Sequence, residues 1–444
     1  MGEEEEEEVA WGTVERFPSP GKGRGLRAAR GSFSRGDLLL VAHPFSATVA
    51  DDERGRFCDH CFARKEKLSH CGKCKQAYYC NAQCQRADWP SHKLDCDGLR
   101  QMGPQWAPGE AVRLVARILT KQKMTKEKCA SEELLRVEEM ESHTEDLDNE
   151  QREAIGQEIT ALHHYYSRQL EIPGNEEMVA MFCKVKCNGF TVEDEELHHI
   201  GAALYPSLAL LNHSCDHNCV ATFRGSTAQV RALRDIEQGE ELSISYIDLL
   251  YPTEDRNERL REMYFFTCHC CHCQSHHLDD EKLAIRKLSD PPSPESVREA
   301  IKYSKFMMGE FRAAKRSKTG TELLEMCEQC LEKQRSVLSE GNVYLLHMAY
   351  QAMGVCLFVE QWERALDYGL QVIKPYCKLY PRLSLNVASL WLKIGQLQAN
   401  LDHTSAAAKS FSKALAIMEV THGKDHPYIE ELRTAVKSKK SNTS

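Results

Sequence analysis

No apolar run in this 444-residue chain approaches the ~18 to 20 residues that a membrane-spanning helix needs, so a spanning protein is not expected. Basic excess is missing too: the formal charge is −9, and the run Glu3 to Glu8 supplies six of those negative charges. A nucleic-acid binder driven by bulk charge is therefore excluded, and direct sequence-specific DNA binding is not expected. The N-terminal text is acidic and has no apolar h-region, so no secretory signal is readable. Glu6 stands where a myristoylation motif needs Ser or Thr. Without a route to an oxidising compartment, the twenty cysteines do not read as a disulfide scaffold, and a reducing compartment is predicted, cytoplasmic and nuclear.

The cysteines instead fall into ligand spacings. Cys58-x2-Cys61, Cys71-x2-Cys74, Cys80-x3-Cys84 and His92-x3-Cys96 place eight soft ligands between residues 58 and 96. Seven thiolates and one imidazole select zinc over hard-ligand metals. Crossed ligation puts Cys58, Cys61, Cys80 and Cys84 on one ion and Cys71, Cys74, His92 and Cys96 on the other. Both sites are closed by four protein ligands, so both are structural: catalytic zinc keeps an open position. The spacings resemble the MYND zinc finger, which implies protein interaction, often with proline-rich peptides.

Around this module the text alternates between strand and helix signals. Residues 1–12 read as a disordered acidic tail. Apolar runs at Leu38 to Val41 and Phe45 to Val49 read as short strands, residues 108 to about 170 as helical, and residues 181–250 as short strands and turns. A linker is marked at 290–294, and helix patterning follows to the end. Gly354, Trp362 and Ala365 share offsets with Gly395, His403 and Ala406, a period of 41 residues that points to paired helices of tetratricopeptide type.

A second cluster, Cys268-x-Cys270-x2-Cys273, lacks a fourth ligand of matching spacing; Cys215 is the candidate, with Cys271 and His272 as local alternatives. Cys215 ends Asn212-His213-Ser214-Cys215. With Gly23-Arg24-Gly25, Asn188-Gly189-Phe190 and Gly239-Glu240-Glu241-Leu242 leading to Tyr246, this order resembles the SET-domain protein lysine methyltransferases, and the interposed finger identifies the chain as similar to the SMYD family. The resemblance implies an α+β, multidomain architecture. A β-rich SET core (13–57 and 181–250) is split by a finger (58–96) and a helical insert (97–180). A cysteine-rich post-SET segment (251–280) and an all-α C-terminal domain (281–444) follow.

It also implies methyl transfer from S-adenosylmethionine to lysine side chains, in histone tails and non-histone regulators. A free lysine with pKa ~10.4 is almost wholly protonated near neutrality, so the site must favour the neutral amine; an apolar aromatic channel does that. The family places the catalytic hydroxyl at Tyr246 and the channel at Phe190, Tyr246 and Tyr264. Cofactor-binding positions match Lys22, Gly23, Arg24, His143, Asn212, His213, Tyr264, Phe265 and Phe266, the cations of the loop suiting a carboxylate. Three structural zinc ions, a monomer and a heat-shock chaperone partner complete the implied picture.

The rival reading is an adapter with a vestigial core, which loss of Tyr246, Asn212 or His213 would favour; all are present. Two departures stand out, Asp216-His217-Asn218 where the family commonly has x-Pro-Asn after the cysteine, and Gln238 where proline usually precedes Gly239. Both are expected to alter turn rigidity without abolishing the fold. The acidic run Glu193 to Glu196 reads either as a lure for basic peptides or as a solvated helix start. If the core folds by itself, loss of Cys71 should unfold the finger and leave methylation of a short peptide.

Overall fold

The computed structural model describes residues 11–124, 127–289 and 291–441. The acidic run of the expected tail lies outside them. Trp11–Thr13 already forms a 3-10 turn, so order begins inside the stretch expected to be disordered. The chain divides into two compact units, one reaching Ile244 and including Arg261–Phe266, the other comprising Ser245–Leu260 and the chain from Thr267 on.

The first unit opens with β1 (Val14–Ser19), β2 (Gly23–Ala28), β3 (Leu38–Ala42) and β4 (Ser46–Val49). The finger contributes β5 (Ser69–His70), β6 (Tyr78–Tyr79) and the long α1 (Ala82–Met102). Next come α2 (Glu110–Met124), α3 (Asn149–Tyr166) and α4 (Asn175–Asn188), then β7 (Gly189–Glu193), β8 (His199–Leu204), β9 (Asn212–His213), β10 (Cys219–Arg224), β11 (Thr227–Ala232) and β12 (Glu241–Ile244). Small sheets result, ordered β1-β2-β12-β9, β10-β11-β3 and β4-β8-β7. In the first of these β12 lies between β2, antiparallel through Glu241 and Leu242, and β9, parallel through Ser243 and Ile244. One short strand thereby draws together segments nearly 190 residues apart in sequence, Arg24 and Asn212.

Three local expectations change. The helical stretch expected over 108–170 breaks between α2 and α3 into two 3-10 turns, Ala130–Glu132 and Val137–Glu139. Its backbone carbonyls are taken by side chains instead of by the next turn of helix. Leu134 receives Arg16, Val137 and Glu138 receive Lys184, Glu139 receives Arg24, and Glu141 receives Asn188. Residues 181–188 are helical, not strand and turn, because Met178, Met181, Phe182 and Val185 bury one face of α4 at helical spacing. Finally, Asp194 to Leu197 form the turn between β7 and β8 and no helix starts there; the Asp194 carboxylate accepts from the backbone N–H of Glu196 and of His198, each at 2.9 Å.

The second unit holds α5 (Thr253–Tyr264) up to Leu260, α6 (Cys271–Gln274), α7 (Asp279–Lys282) and seven further helices. These are α8 (Pro294–Ala314), α9 (Gly320–Arg335), α10 (Val343–Phe358), α11 (Trp362–Leu379), α12 (Leu385–Asn400), α13 (Thr404–Thr421) and α14 (Pro427–Ser441). The repeat is real, but its spacing is one residue longer than the sequence match: α10 and α12 begin at 343 and 385, and α11 and α13 at 362 and 404, a step of 42. The matched glycines are not equivalent. Gly395 admits the Phe411 ring, which a Cβ would meet at 2.6 Å, whereas a Cβ on Gly354 would meet nothing within 4 Å. In the preceding hairpin the sizes are exchanged: Met353 on α10 packs against Gly369 on α11, with the thioether sulfur 3.3 Å from where a Cβ would stand. The large and small partners have swapped helices, so the packing is kept while sequence identity is lost.

This unit buries a titratable pair with a measurable consequence. The Tyr251 hydroxyl and His347 Nδ1 share a hydrogen bond of 2.6 Å. Burial, followed by the nearby Arg312 and Lys315, pushes the His347 pKa down to about 4. An unfolded histidine titrates near ~6.5, so the unfolded chain takes up the proton first and stability falls as pH drops from there toward 4. Between pH 7 and 4.5 the wild type should lose about 2–3 kcal/mol more than His347→Gln, read from urea midpoints at the two pH values. Equal losses would rule out a buried neutral His347.

Candidate functional site

The finger fits zinc by geometry as well as by ligand type. Zinc with bonds of about 2.3 Å to tetrahedral thiolates spaces its sulfurs about 3.8 Å apart. Cys61 Sγ stands 3.6 Å from Cys80 Sγ and 3.9 Å from Cys84 Sγ; in the other group Cys71 and Cys96 sulfurs are 3.9 Å apart and Cys74 Sγ is 3.5 Å from His92 Nε2. The eight ligands separate as the crossed pattern requires, Cys58, Cys61, Cys80 and Cys84 in one group and Cys71, Cys74, His92 and Cys96 in the other. A single helix serves both: α1 gives Cys84 in its first turn, where the Asn81 cap accepts the Cys84 N–H at 2.9 Å, and His92 and Cys96 from one face four residues apart. In the second unit Cys268, Cys270 and Cys273 bring their sulfurs within 4.8 Å of one another. The Cys268 N–H donates to Asn257 Oδ1 at 2.7 Å and Arg256 reaches Cys273 Sγ at 3.6 Å, fixing that loop on α5.

The finger is also bolted into the first unit, which its spacing does not reveal. Arg117 on α2 is buried and reaches Asp88 Oδ1 at 3.0 Å and Asp95 Oδ2 at 3.8 Å, both on α1, and the Ala47 carbonyl of β4 at 3.2 Å. Tyr79 and Tyr166 donate to the same two carboxylates at 2.8 and 2.5 Å. One turn earlier Arg113 takes Thr48, the Val49 carbonyl and Asp51. From the other side the Ser226 N–H donates to the Cys61 carbonyl at 2.9 Å; the preceding Gly225, at φ +61°, lets the β10–β11 turn approach where a Cβ would lie 2.3 Å from that oxygen.

A polar cluster gathers at the β2–β12–β9 crossing. Asn212 Nδ2 donates to the Arg24 carbonyl at 2.9 Å and to Glu241 Oε1 at 2.8 Å. Both amide hydrogens are thus used within the chain, and Oδ1 is left to face a donor. Lys22 and Arg24, expected to present cations to a ligand carboxylate, are each paired inside the protein, Lys22 with Glu241 Oε2 at 3.0 Å and Arg24 with Glu141 Oε1 at 2.7 Å. Gly23 adopts φ +77° at the start of β2, which turns this loop back across the strand ends. His143 is not in a helix: it sits at φ +54°, hydrogen-bonded to Asp146 at 3.0 Å and stacked on Phe265 with ring centroids 5.2 Å apart. His213 is buried between Cys215 Sγ, 3.4 Å from its Nε2, and the Phe266 ring at 5.9 Å. Lys22, Gly23, Arg24, His143, Asn212, His213, Phe265 and Phe266 all belong to this unit, as do Phe190 and Tyr264.

Phe190 is backed by an aromatic that sequence reading passed over. Tyr205 is fully buried, stands edge-on to Phe190 at 5.6 Å and donates to the Ser226 carbonyl at 2.7 Å. Tyr264 closes α5, and Tyr246, in the second unit, follows two residues after β12. Of the two departures from family text, Gln238 makes a bond of its own, while Asn218, which follows His217, is a position the family shares. Asn218 is buried, donates to Glu240 and to the Glu241 carbonyl and accepts the Ser243 N–H; Gln238 donates to the Ala29 carbonyl at 3.0 Å, a clamp that proline could not make.

A β core interrupted by a two-site cysteine–histidine finger, with a helical-repeat unit beside it in the chain, defines a SET protein carrying a MYND finger. The MYND finger model matches residues 58–96. The N-lysine methyltransferase SMYD2 of Gallus gallus is 57% identical over 422 residues, covering 95% of this chain and 97% of its own length. That of Homo sapiens is 54% identical over 427 residues (96% and 98%), and SMYD2-A of Xenopus laevis 55% over 420 (95% and 97%). The chain belongs to the SMYD family of N-lysine methyltransferases.

Proposed function

We propose that this chain transfers methyl groups from S-adenosylmethionine to lysine side chains of protein substrates, histone tails and non-histone regulators among them. The observation that carries the reading is the cluster at the β2–β12–β9 crossing, where Asn212 Oδ1 remains as an acceptor suited to an ammonium, beside the Lys22–Arg24 loop and the Phe265–His143 stack. When bound, the cofactor supplies a methyl group on a positively charged sulfur. The chain's own residues do the rest. Lys22, Gly23, Arg24, Asn212, His213 and His143 bind the cofactor, the loop cations suiting its carboxylate, and Tyr264, Phe265 and Phe266 offer faces to the adenine. Phe190, Tyr246 and Tyr264 form an apolar channel that disfavours the ammonium and aligns a neutral amine, with the Tyr246 hydroxyl beside the transferring carbon.

Zinc stays structural at all three sites, the third completed by Cys215 with Cys268, Cys270 and Cys273. Proline-rich peptides at the finger, a heat-shock chaperone partner, a monomeric state and a cytoplasmic and nuclear location extend the same reading. Among the described residues no helix is long and apolar enough to cross a membrane. The domain limits proposed are 13–57 and 181–250 for the core, 97–180 for the insert, 251–280 for the post-SET segment and 281–444 for the C-terminal domain.

The test is transfer of labelled methyl to histones and a basic peptide library by the wild type and Tyr246→Phe. Wild-type labelling that drops at least about 100-fold in the variant, with cofactor binding retained, supports the reading, since a positioned group of this kind contributes on the order of 10²–10⁴ in rate. No transfer by either protein, with partner binding intact, would instead support the adapter.

A further inference from the structure

Glu241 has no role in the reading above, yet it holds three of the elements that reading relies on. Its Oε1 accepts from Ser19 Oγ at 2.8 Å, at the end of β1, and from Asn212 Nδ2 at 2.8 Å, on β9. Its Oε2 pairs with Lys22 Nζ at 3.0 Å, in the turn between β1 and β2. Gly25 leaves room for this: a Cβ there would meet Asn212 Nδ2 at 2.8 Å, Glu241 Oε1 at 3.0 Å and the Phe17 ring at 3.0 Å. Partial burial would raise the carboxyl's pKa, and the donors of Asn212, Lys22 and Ser19 outweigh it, so the net shift is downward and the group is ionised at neutral pH.

We propose that Glu241 is a positioning residue that sets cofactor affinity. This role rests on the cofactor site assigned above. Asn212 has two amide hydrogens, and Glu241 takes one while the Arg24 carbonyl takes the other, which fixes the amide flip and turns Oδ1 outward as an acceptor. Without the carboxylate only the Arg24 carbonyl holds the amide, and any rotated population presents N–H to the cofactor's ammonium, a repulsive contact. The same carboxylate keeps the Lys22 ammonium at the strand end, where a flexible four-carbon side chain would otherwise roam. Glu241 thus orders an acceptor and a cation for the two opposite charges of an amino-acid moiety, without touching either.

The prediction separates affinity from chemistry. Glu241→Gln keeps an acceptor for Ser19 and Asn212 but discards the ion pair; Glu241→Ala discards both. The KM for S-adenosylmethionine should rise about 5-fold in the first and about 30-fold or more in the second, following loss of one and then several charge-assisted bonds. In both, kcat at saturating cofactor and the KM for peptide should stay within about 3-fold. Glu15→Gln, which removes the Arg27 partner on the same hairpin (2.7 Å), serves as the control and should leave all three unchanged. Calorimetric titration with S-adenosylmethionine is run on every protein. If the wild type binds no cofactor, the cofactor site itself is misassigned. Wild-type binding with a cofactor KM for Glu241→Ala within 2-fold would overturn the positioning role alone. So would a fall in kcat matching the rise in KM together with a fall in melting temperature, since that is the signature of general loosening.

Discussion

Arg117→Met should cost the protein about 3–5 kcal/mol, the typical penalty for removing one partner of a buried ion pair and leaving the other without a counter-charge. Asp88 and Asp95 are 5% and 4% exposed, and Arg117 is the cation that faces both from α2. Tyr79 and Tyr166 would still donate to them, but a hydroxyl does not neutralise a carboxylate. Methionine fills the volume of the arginine stem, so the loss reads the charge and not a cavity. Guanidinium unfolding followed by tryptophan fluorescence checks it, because Trp106 Nε1 lies 3.4 Å from Asp95 Oδ1 and its ring packs against Tyr166. A loss under 1 kcal/mol would mean that water reaches the two aspartates. The triple variant that adds Asp88→Asn and Asp95→Asn to Arg117→Met should recover a large part of the stability, which a merely steric effect of methionine would not allow.

Cys71→Ser carries the second large effect. It removes one ligand from a closed buried site, and structural zinc in small fingers contributes on the order of 10 kcal/mol of folding energy. Zinc content, measured by a chromogenic chelator after denaturation, should fall by about one ion of the three. Methylation of a short peptide should fall with it, at least about 10-fold, because α1 carries both His92 and Cys96 and the two aspartates that anchor Arg117. An unravelled α1 frees α2, and α2 secures β4, the strand that pairs with β8 and so with the β7 strand bearing Phe190. Full peptide activity in a zinc-depleted variant would contradict this chain of contacts and restore the view of the finger as a detachable recruitment module.

Much of the site was legible in the linear text, and particular residues show why. Zinc ligands announce themselves because a metal requires fixed residue types at short spacings, and both finger groups assemble as their spacing predicted. The motif residues Lys22 to Arg24, Asn212 and His213 read as one family's signature, and they meet at a single sheet crossing. The helical repeat was half legible. Its helices were visible as periodic apolar patterns, but the step of 42 was hidden because Met353·Gly369 and Gly395·Phe411 achieve the same packing with the sizes exchanged.

What composition and spacing determined by themselves was the metal and its ligand sets; the cofactor loop and the catalytic aromatics came from the resemblance to one family. What only the tertiary structure decided was partnership. Glu241 and Arg117 each bond side chains or carbonyls between 22 and 222 positions away, and no periodicity or short motif encodes such a distance. Residues 130–141 read as helix because their composition suits one, yet their carbonyls are claimed by Arg16, Arg24, Lys184 and Asn188. A backbone group goes to whichever donor the fold brings nearest, and these donors, on β1, β2 and α4, reach the 130–141 segment only in the folded unit.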